Sequence, residues 1–129
     1  MMAAVIVSGV GLVAHPAGAT TQQQLQTAIT RLRGDVFTLN EYANGRQKFL
    51  ERTTCENLKR HSVALGNLSR PDGVPRSFWR PTMVVAREYE AAAESCLDLD
   101  QDAFNAHLQS AFAAVKQAQA HDPTKRRFK

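Results

Sequence analysis

Acids and histidines are the residues of this chain that could bind a metal, and their spacing matches no metal site. Asp98, Asp100 and Asp102 stand at the first, third and fifth positions of a stretch that begins like a calcium loop. Such a loop also needs a glycine at its sixth position and a bidentate glutamate at its twelfth, where this chain has Ala103 and Gln109. The pattern instead indicates a helix start, with Asp100 as the cap and its neighbours adding negative charge.

The remaining candidate ligands and nucleophiles form no catalytic pattern. His61, His107 and His121 have no partner at metal-ligand spacing, and Cys55 and Cys96 lie far apart in the chain. The sequence holds no Ser-His-Asp motif and no glycine-rich phosphate loop. We therefore expect a protein that binds a partner or ligand and is not an enzyme, with no metal.

The stretch RSFWRPT, residues 76–82, combines aromatic and basic side chains at the start of a predicted helix. Cations at that position oppose the positive end of the helix dipole unless solvent or a bound anion compensates. One hypothesis is that a small anion or a protein partner binds at Arg76, Trp79 and Arg80. The alternative is that Trp79 is a buried anchor at the helix entry and the arginines face solvent.

The first nineteen residues have the composition of an export signal. MMAAVIVSGVGLVA is apolar and uncharged, and small residues at Ala17 and Ala19 follow it. The pattern predicts a signal peptide over residues 1–19, cleavage between Ala19 and Thr20, and a periplasmic or secreted protein. The apolar run has 14 residues, whereas a spanning helix needs about 20, so we expect no stable membrane span after cleavage.

The predicted mature chain, residues 20–129, has the composition of a single globular domain. The whole sequence is 43% hydrophobic and 22% charged, with a net charge of +4. A basic tail over residues 124–129 has only Phe128 beside its cations, which is too little to indicate a nucleic-acid partner. In an exported domain two cysteines favour a disulfide between Cys55 and Cys96; two buried free thiols are the alternative.

Apolar residues recur at helical spacing in four segments, and no segment alternates as a strand does. The first segment runs to a break at Asn44-Gly45 and the second from about residue 46 to residue 61. A loop is predicted over 62–75, a third helix from residue 77 or 81 to residue 97, and a fourth after it. The inward positions of these helices are Leu25, Ile29, Leu32, Val36, Leu39, Phe49, Leu50, Cys55, Leu58, Val84, Val85, Tyr89, Ala92, Cys96, Phe104, Leu108, Phe112 and Val115. This pattern predicts an all-α, up-and-down four-helix bundle.

Three stretches resemble the cytochrome c′ family of exported four-helix bundles. They are RGDVFTLNEYANGR at residues 33–46, the Pro75, Phe78-Trp79 and Pro81 helix entry, and DLDQDAFNAHLQSAFAAV at residues 98–115. The resemblance implies a bundle fold and a homodimer formed through the first two helices. It also implies that Arg33 and Phe37 would lie near the edge and the distal face of a haem.

The chain departs from this family at the haem attachment motif. Family members carry Cys-x-x-Cys-His near the end of the last helix, whereas that region reads KQAQAHDPTKRRF here. Covalent haem c is thereby excluded, and His121 is the one residue that could ligate a non-covalent haem b. We expect a haem-free binding or interaction protein whose phenylalanines fill the haem volume, namely Phe37, Phe49, Phe104 and Phe112. The alternative is an electron-transfer or gas-binding protein that holds haem b through His121.

Overall fold

Four α-helices account for most of the chain that the computed structural model describes, which is residues 19–43 and 52–122. They are α1 (Gln22–Ala43), α2 (Arg52–Gly66), α3 (Arg76–Leu97) and α4 (Gln101–Ala120), and these ranges contain no strand. Each helix packs on the next, α1 on α2, α2 on α3 and α3 on α4. The predicted all-α, up-and-down four-helix bundle is confirmed.

Several sequence predictions fall on residues outside the described ranges. These are the signal peptide up to residue 18, the Asn44-Gly45 break, the start of the second helix, and the basic tail. Within residues 19–43 and 52–122, no helix is both long and apolar enough to cross a membrane.

Helix α1 begins with a reciprocal pair of hydrogen bonds. The backbone N–H of Gln24 donates to Oγ1 of Thr21 over 3.1 Å, and the N–H of Thr21 donates to Oε1 of Gln24 over 2.8 Å. This is a capping box, which satisfies two of the free donors at a helix start. Nε2 of Gln22 also donates to the carbonyl of Asp72, so the start of α1 is attached to the α2–α3 loop.

Helix α2 ends later than the sequence pattern predicts. The prediction placed its end at His61 because two glycines and two prolines follow within residues 62–75, but the helix continues to Gly66. Ser62 and Leu65 are fully buried there, and both lie on the face that carries Leu58. Burial of that face favours the helix up to its last residue, where a glycine costs little.

Helix α3 begins at Arg76, directly after Pro75, and continues through Pro81. The sequence left its start open between residues 77 and 81, because a proline inside a helix removes one backbone hydrogen bond. The carbonyl that loses its partner belongs to Ser77, which is solvent-exposed, so water can satisfy it. Trp79 and Phe78 are half-buried and pack against the core from this first part of α3.

The turn between α3 and α4 confirms the predicted helix cap. Asp100 precedes α4, and its Oδ1 accepts a hydrogen bond of 3.1 Å from the N–H of Ala103. Asp102 adds an acid to the first turn of α4, where the helix dipole favours negative charge. The acids of this turn thus stabilise a helix start, and no group of three potential metal ligands occurs in the described ranges.

The buried face of α4 differs from the predicted one. Phe104 is buried as expected, but the other buried residues are Ala111, Ala114 and Ala118. Phe112, predicted to point inward, is 39% exposed. Small side chains on α4 allow a close approach to α3, whose Ala92 and Ala93 are fully buried, and this turns the larger residues toward α1.

Cys55 and Cys96 are paired at disulfide distance, as predicted. Their Cα atoms are 6.0 Å apart, inside the usual range for a disulfide. Cys55 is buried on α2 and Cys96 is half-buried near the end of α3, so the bond connects the two helices.

Candidate functional site

An open apolar groove separates α1 from α4. Its volume is about 820 Å³, and α1 and α4 form its walls while α3 forms most of its floor. Twelve of its residues are apolar: Leu25, Ile29, Leu32, Val36, Phe37, Leu65, Val74, Phe78, Val85, Phe112, Val115 and Ala118. The groove therefore offers a mainly apolar surface to a molecule that enters it.

Helix α1 contributes to the groove through one edge of its apolar stripe. Leu25, Leu32 and Leu39 recur every seven residues and are almost fully buried. Ile29 and Val36, also seven residues apart, are half-buried and line the groove. The leucines attach α1 to the bundle, and Ile29 with Val36 leaves an apolar wall that no described helix covers fully.

Phenylalanine side chains border the groove and do not fill it. Phe37 is 66% exposed and Phe112 is 39% exposed, and both belong to the groove lining. Phe104 is buried but lies outside that lining, and Phe49 falls in the undescribed range. Phe37, Phe104 and Phe112 therefore do not fill the groove, and the expectation that they occupy the volume of a haem stays a prediction.

Tyr89 of α3 carries a buried hydroxyl under the groove. The residue is 1% exposed, and its ring makes an edge-on contact with Phe112 at a centroid distance of 6.4 Å. Its hydroxyl has no hydrogen-bond partner among the described residues. An unsatisfied buried hydroxyl costs about 1–3 kcal/mol. Burial also raises the pKa of Tyr89 to about 12, because an apolar environment disfavours the phenolate.

The raised pKa of Tyr89 predicts a loss of stability in alkali. The unfolded tyrosine ionises near pH 10, whereas the folded one keeps its proton until about pH 12. The stabilising contribution of the protonated Tyr89 is therefore fully present below pH 10. As pH rises to 12, the free energy of unfolding falls by about 2–3 kcal/mol. Urea denaturation of the wild type and of Tyr89→Phe at pH 9 and pH 12 measures the free energy of unfolding. An identical pH dependence of this energy in the two proteins would contradict the raised pKa of Tyr89.

Charged side chains lie at the rim of the groove. Arg33 of α1 and Lys116 of α4 both line it, both are exposed, and neither forms an ion pair with a described residue. Asp122, just beyond α4, is the one carboxylate in the lining and takes part in an interaction of its own. The charges of the lining sum to +1.

A second, smaller site collects other residues that the sequence singled out. Arg76, Arg80 and His121 line an open surface pocket of about 520 Å³ where α3 begins and α4 ends. Trp79 packs against the core and does not line this pocket. The structure thus joins His121 with the two arginines, a grouping that the sequence did not predict.

No protein-family model, no curated protein and no solved structure matches this chain. The resemblance to the cytochrome c′ family therefore stays a prediction. The homodimer that the resemblance implies also stays a prediction. The same holds for a small anion or protein partner at Arg76, Trp79 and Arg80.

The groove lining lacks the histidine, methionine and cysteine ligands that commonly hold a haem iron. Arg33 and Phe37 line it, as the resemblance implies, but His121 lines the other pocket. The groove lining contains no histidine, methionine or cysteine. Tyr89 is the one remaining candidate for an iron ligand, and its raised pKa disfavours the phenolate that would bind. The described residues therefore do not fit haem ligation through His121.

Sequence reasoning missed Lys116. It placed Tyr89, Ile29 and Val36 inward, and these residues lie in or against the core while they also line the groove. No local signal identifies Lys116, because a lysine in a helix is ordinary. Leu25, Ile29, Leu32, Val36 and Leu39 form one ordinary amphipathic stripe, so no sequence signal marks the part that stays uncovered. Which part of the stripe is left uncovered depends on how far α4 lies from α1.

Proposed function

We propose that this chain is an exported, cytochrome c′-like helical-bundle protein without covalent haem that binds an apolar small molecule. The observation that carries the proposal is the groove between α1 and α4. Its volume of about 820 Å³ falls within the range of about 300–1,000 Å³ typical of ligand pockets. Such pockets are mainly apolar with a few polar groups, which is the composition of this lining.

Two further observations support ligand binding at this place. Phe37 and Phe112 are large apolar side chains that stay exposed along the groove, and exposed apolar patches mark binding surfaces. The pairing of Cys55 with Cys96 agrees with export, because disulfides persist in oxidising compartments.

Binding of the neutral, fluorescent probe N-phenyl-1-naphthylamine to the purified full chain tests the proposal. We expect saturable binding with one probe per chain. Replacing Ile29 by Trp places a large ring in the groove and should weaken binding at least ten-fold, equivalent to about 1.4 kcal/mol. The matched control is Thr30→Trp, since Thr30 is exposed on the same helix and outside the lining. Absence of saturable binding, or equal loss in both variants, would refute the proposed function.

Non-covalent haem b held by His121 is the alternative function, for electron transfer or gas binding. The presence of Arg33 and Phe37 in the groove favours it, and the position of His121 in the other pocket speaks against it. A haem titration followed by Soret absorption separates the two functions. One haem per chain, with a Soret band that is lost in His121→Ala, would favour the alternative.

A further inference from the structure

We propose that the occupant of the groove is a free long-chain carboxylic acid, whose carboxylate is bound by Arg33 of α1 and Lys116 of α4. This inference rests on the proposed function, because it names the chemical class of the ligand in the same groove. Three features of the groove carry it: its charges, its length and a buried hydroxyl.

The charges of the lining suit a ligand with one negative charge. Arg33 and Lys116 come from opposite walls of the groove, and one carboxylate bound by both would bridge these walls. Asp122 reduces the net charge of the lining to +1 but lies six residues after Lys116, beyond the end of α4. Arginine and lysine donate charge-assisted hydrogen bonds to carboxylates, which neutral ligands cannot accept as strongly.

The length of the groove suits a chain-shaped ligand. Its α1 wall extends from Gln22 to Phe37, about 22 Å along a helix. Arg33 lies near one end of that wall, and the apolar residues Leu25 and Ile29 continue from it toward the start of α1. A carboxylate at Arg33 thus places an alkyl chain over apolar side chains, which is favourable because their surface leaves water.

Tyr89 supplies a polar group of the groove lining whose hydrogen bond is not made among the described residues. Its hydroxyl is a buried donor without an acceptor among the described residues, and Tyr89 lines the groove. Thr82, the other buried hydroxyl of the lining, already donates to the carbonyl of Phe78 over 2.7 Å. A carboxylate oxygen that reaches Tyr89 would supply the acceptor that its hydroxyl lacks.

Two fluorescent ligands that differ only in charge test the inference on the purified full chain. They are cis-parinaric acid and its methyl ester, titrated at low salt and neutral pH. We expect the acid to bind about five-fold more tightly than the ester, as is typical of solvent-accessible ion pairs. The preference should shrink in high salt, which screens exposed charges.

The double variant Arg33→Gln with Lys116→Gln should lose the preference for the acid and keep the affinity for the ester. Its control is Arg31→Gln with Arg87→Gln, which removes the same charge from exposed positions outside the groove. The control should keep the preference. Thermal melts verify that both double variants remain folded, as expected for exposed residues.

The outcomes separate the inference from the proposed function. Equal binding of acid and ester by the wild type, or a preference that survives in the groove variant, would overturn the carboxylate and leave an apolar groove. Failure of both ligands to bind would overturn the inference, and failure of N-phenyl-1-naphthylamine to bind as well would overturn the proposed function. Light scattering on the same sample would then show whether a second copy of the chain occupies the groove.

Discussion

The Cys55→Ser and Cys96→Ser variants should each lower the free energy of unfolding by about 4 kcal/mol. The paired cysteines are separated by 41 residues in sequence, and a cross-link of that span removes many conformations from the unfolded chain. For a domain of this size the loss corresponds to a fall in melting temperature of about 20 °C. Thermal denaturation followed by circular dichroism measures it.

Non-additivity provides the control for this prediction. The two substitutions break one bond, so the double variant should be as stable as either single variant. Reduction of the wild type with dithiothreitol should produce the same loss, and the serine variants should not respond to it. Equal melting temperatures of wild type and variants under oxidising conditions would contradict the cross-link.

The Leu58→Ala variant should lose about 3 kcal/mol of unfolding free energy. Leu58 is fully buried on α2 in the main hydrophobic cluster, one turn from Cys55. Truncating it removes apolar burial and leaves a cavity that the surrounding helices fill only in part. Urea denaturation with a linear extrapolation measures the change.

The matched control for Leu58→Ala is the same substitution at Leu99. That side chain is 90% exposed in the α3–α4 turn, so Leu99→Ala should change the unfolding free energy by less than about 0.5 kcal/mol. Similar losses at the two positions would mean that Leu58 is not a core residue. Both substitutions lie outside the groove lining, so ligand affinity in the folded fraction should stay unchanged.

The attachment of α1 explains how a groove can persist in a small bundle. Nδ1 of His61 on α2 lies 2.6 Å from Oδ2 of Asp35 on α1, and both side chains are mostly buried. Near the start of α1, Oγ1 of Thr20 accepts a hydrogen bond from the N–H of Ser69 in the loop after α2. These contacts hold α1 from the side of α2, and its opposite side faces the groove.

Several features could be predicted from the sequence because each depends on local chemistry. Apolar spacing is imposed by the helical repeat, so the existence of four helices could be predicted without knowledge of their neighbours. Asp100 caps α4 through a hydrogen bond to a residue three positions away. Two cysteines allow one intramolecular pairing, and the export signal favoured the disulfide between Cys55 and Cys96 over free thiols.

Only the tertiary structure decided where the bundle is filled and where it stays open. Periodicity marks the apolar face of a helix but not the partner that covers it, so Phe112 was expected inside and the alanines of α4 were not. The close approach of α3 and α4 leaves the groove beside α1. Arg33 and Lys116 thereby line one groove, and His121 lines one pocket with Arg76. The distance between helices that are remote in sequence depends on side-chain volumes across the whole core, and no local pattern contains it.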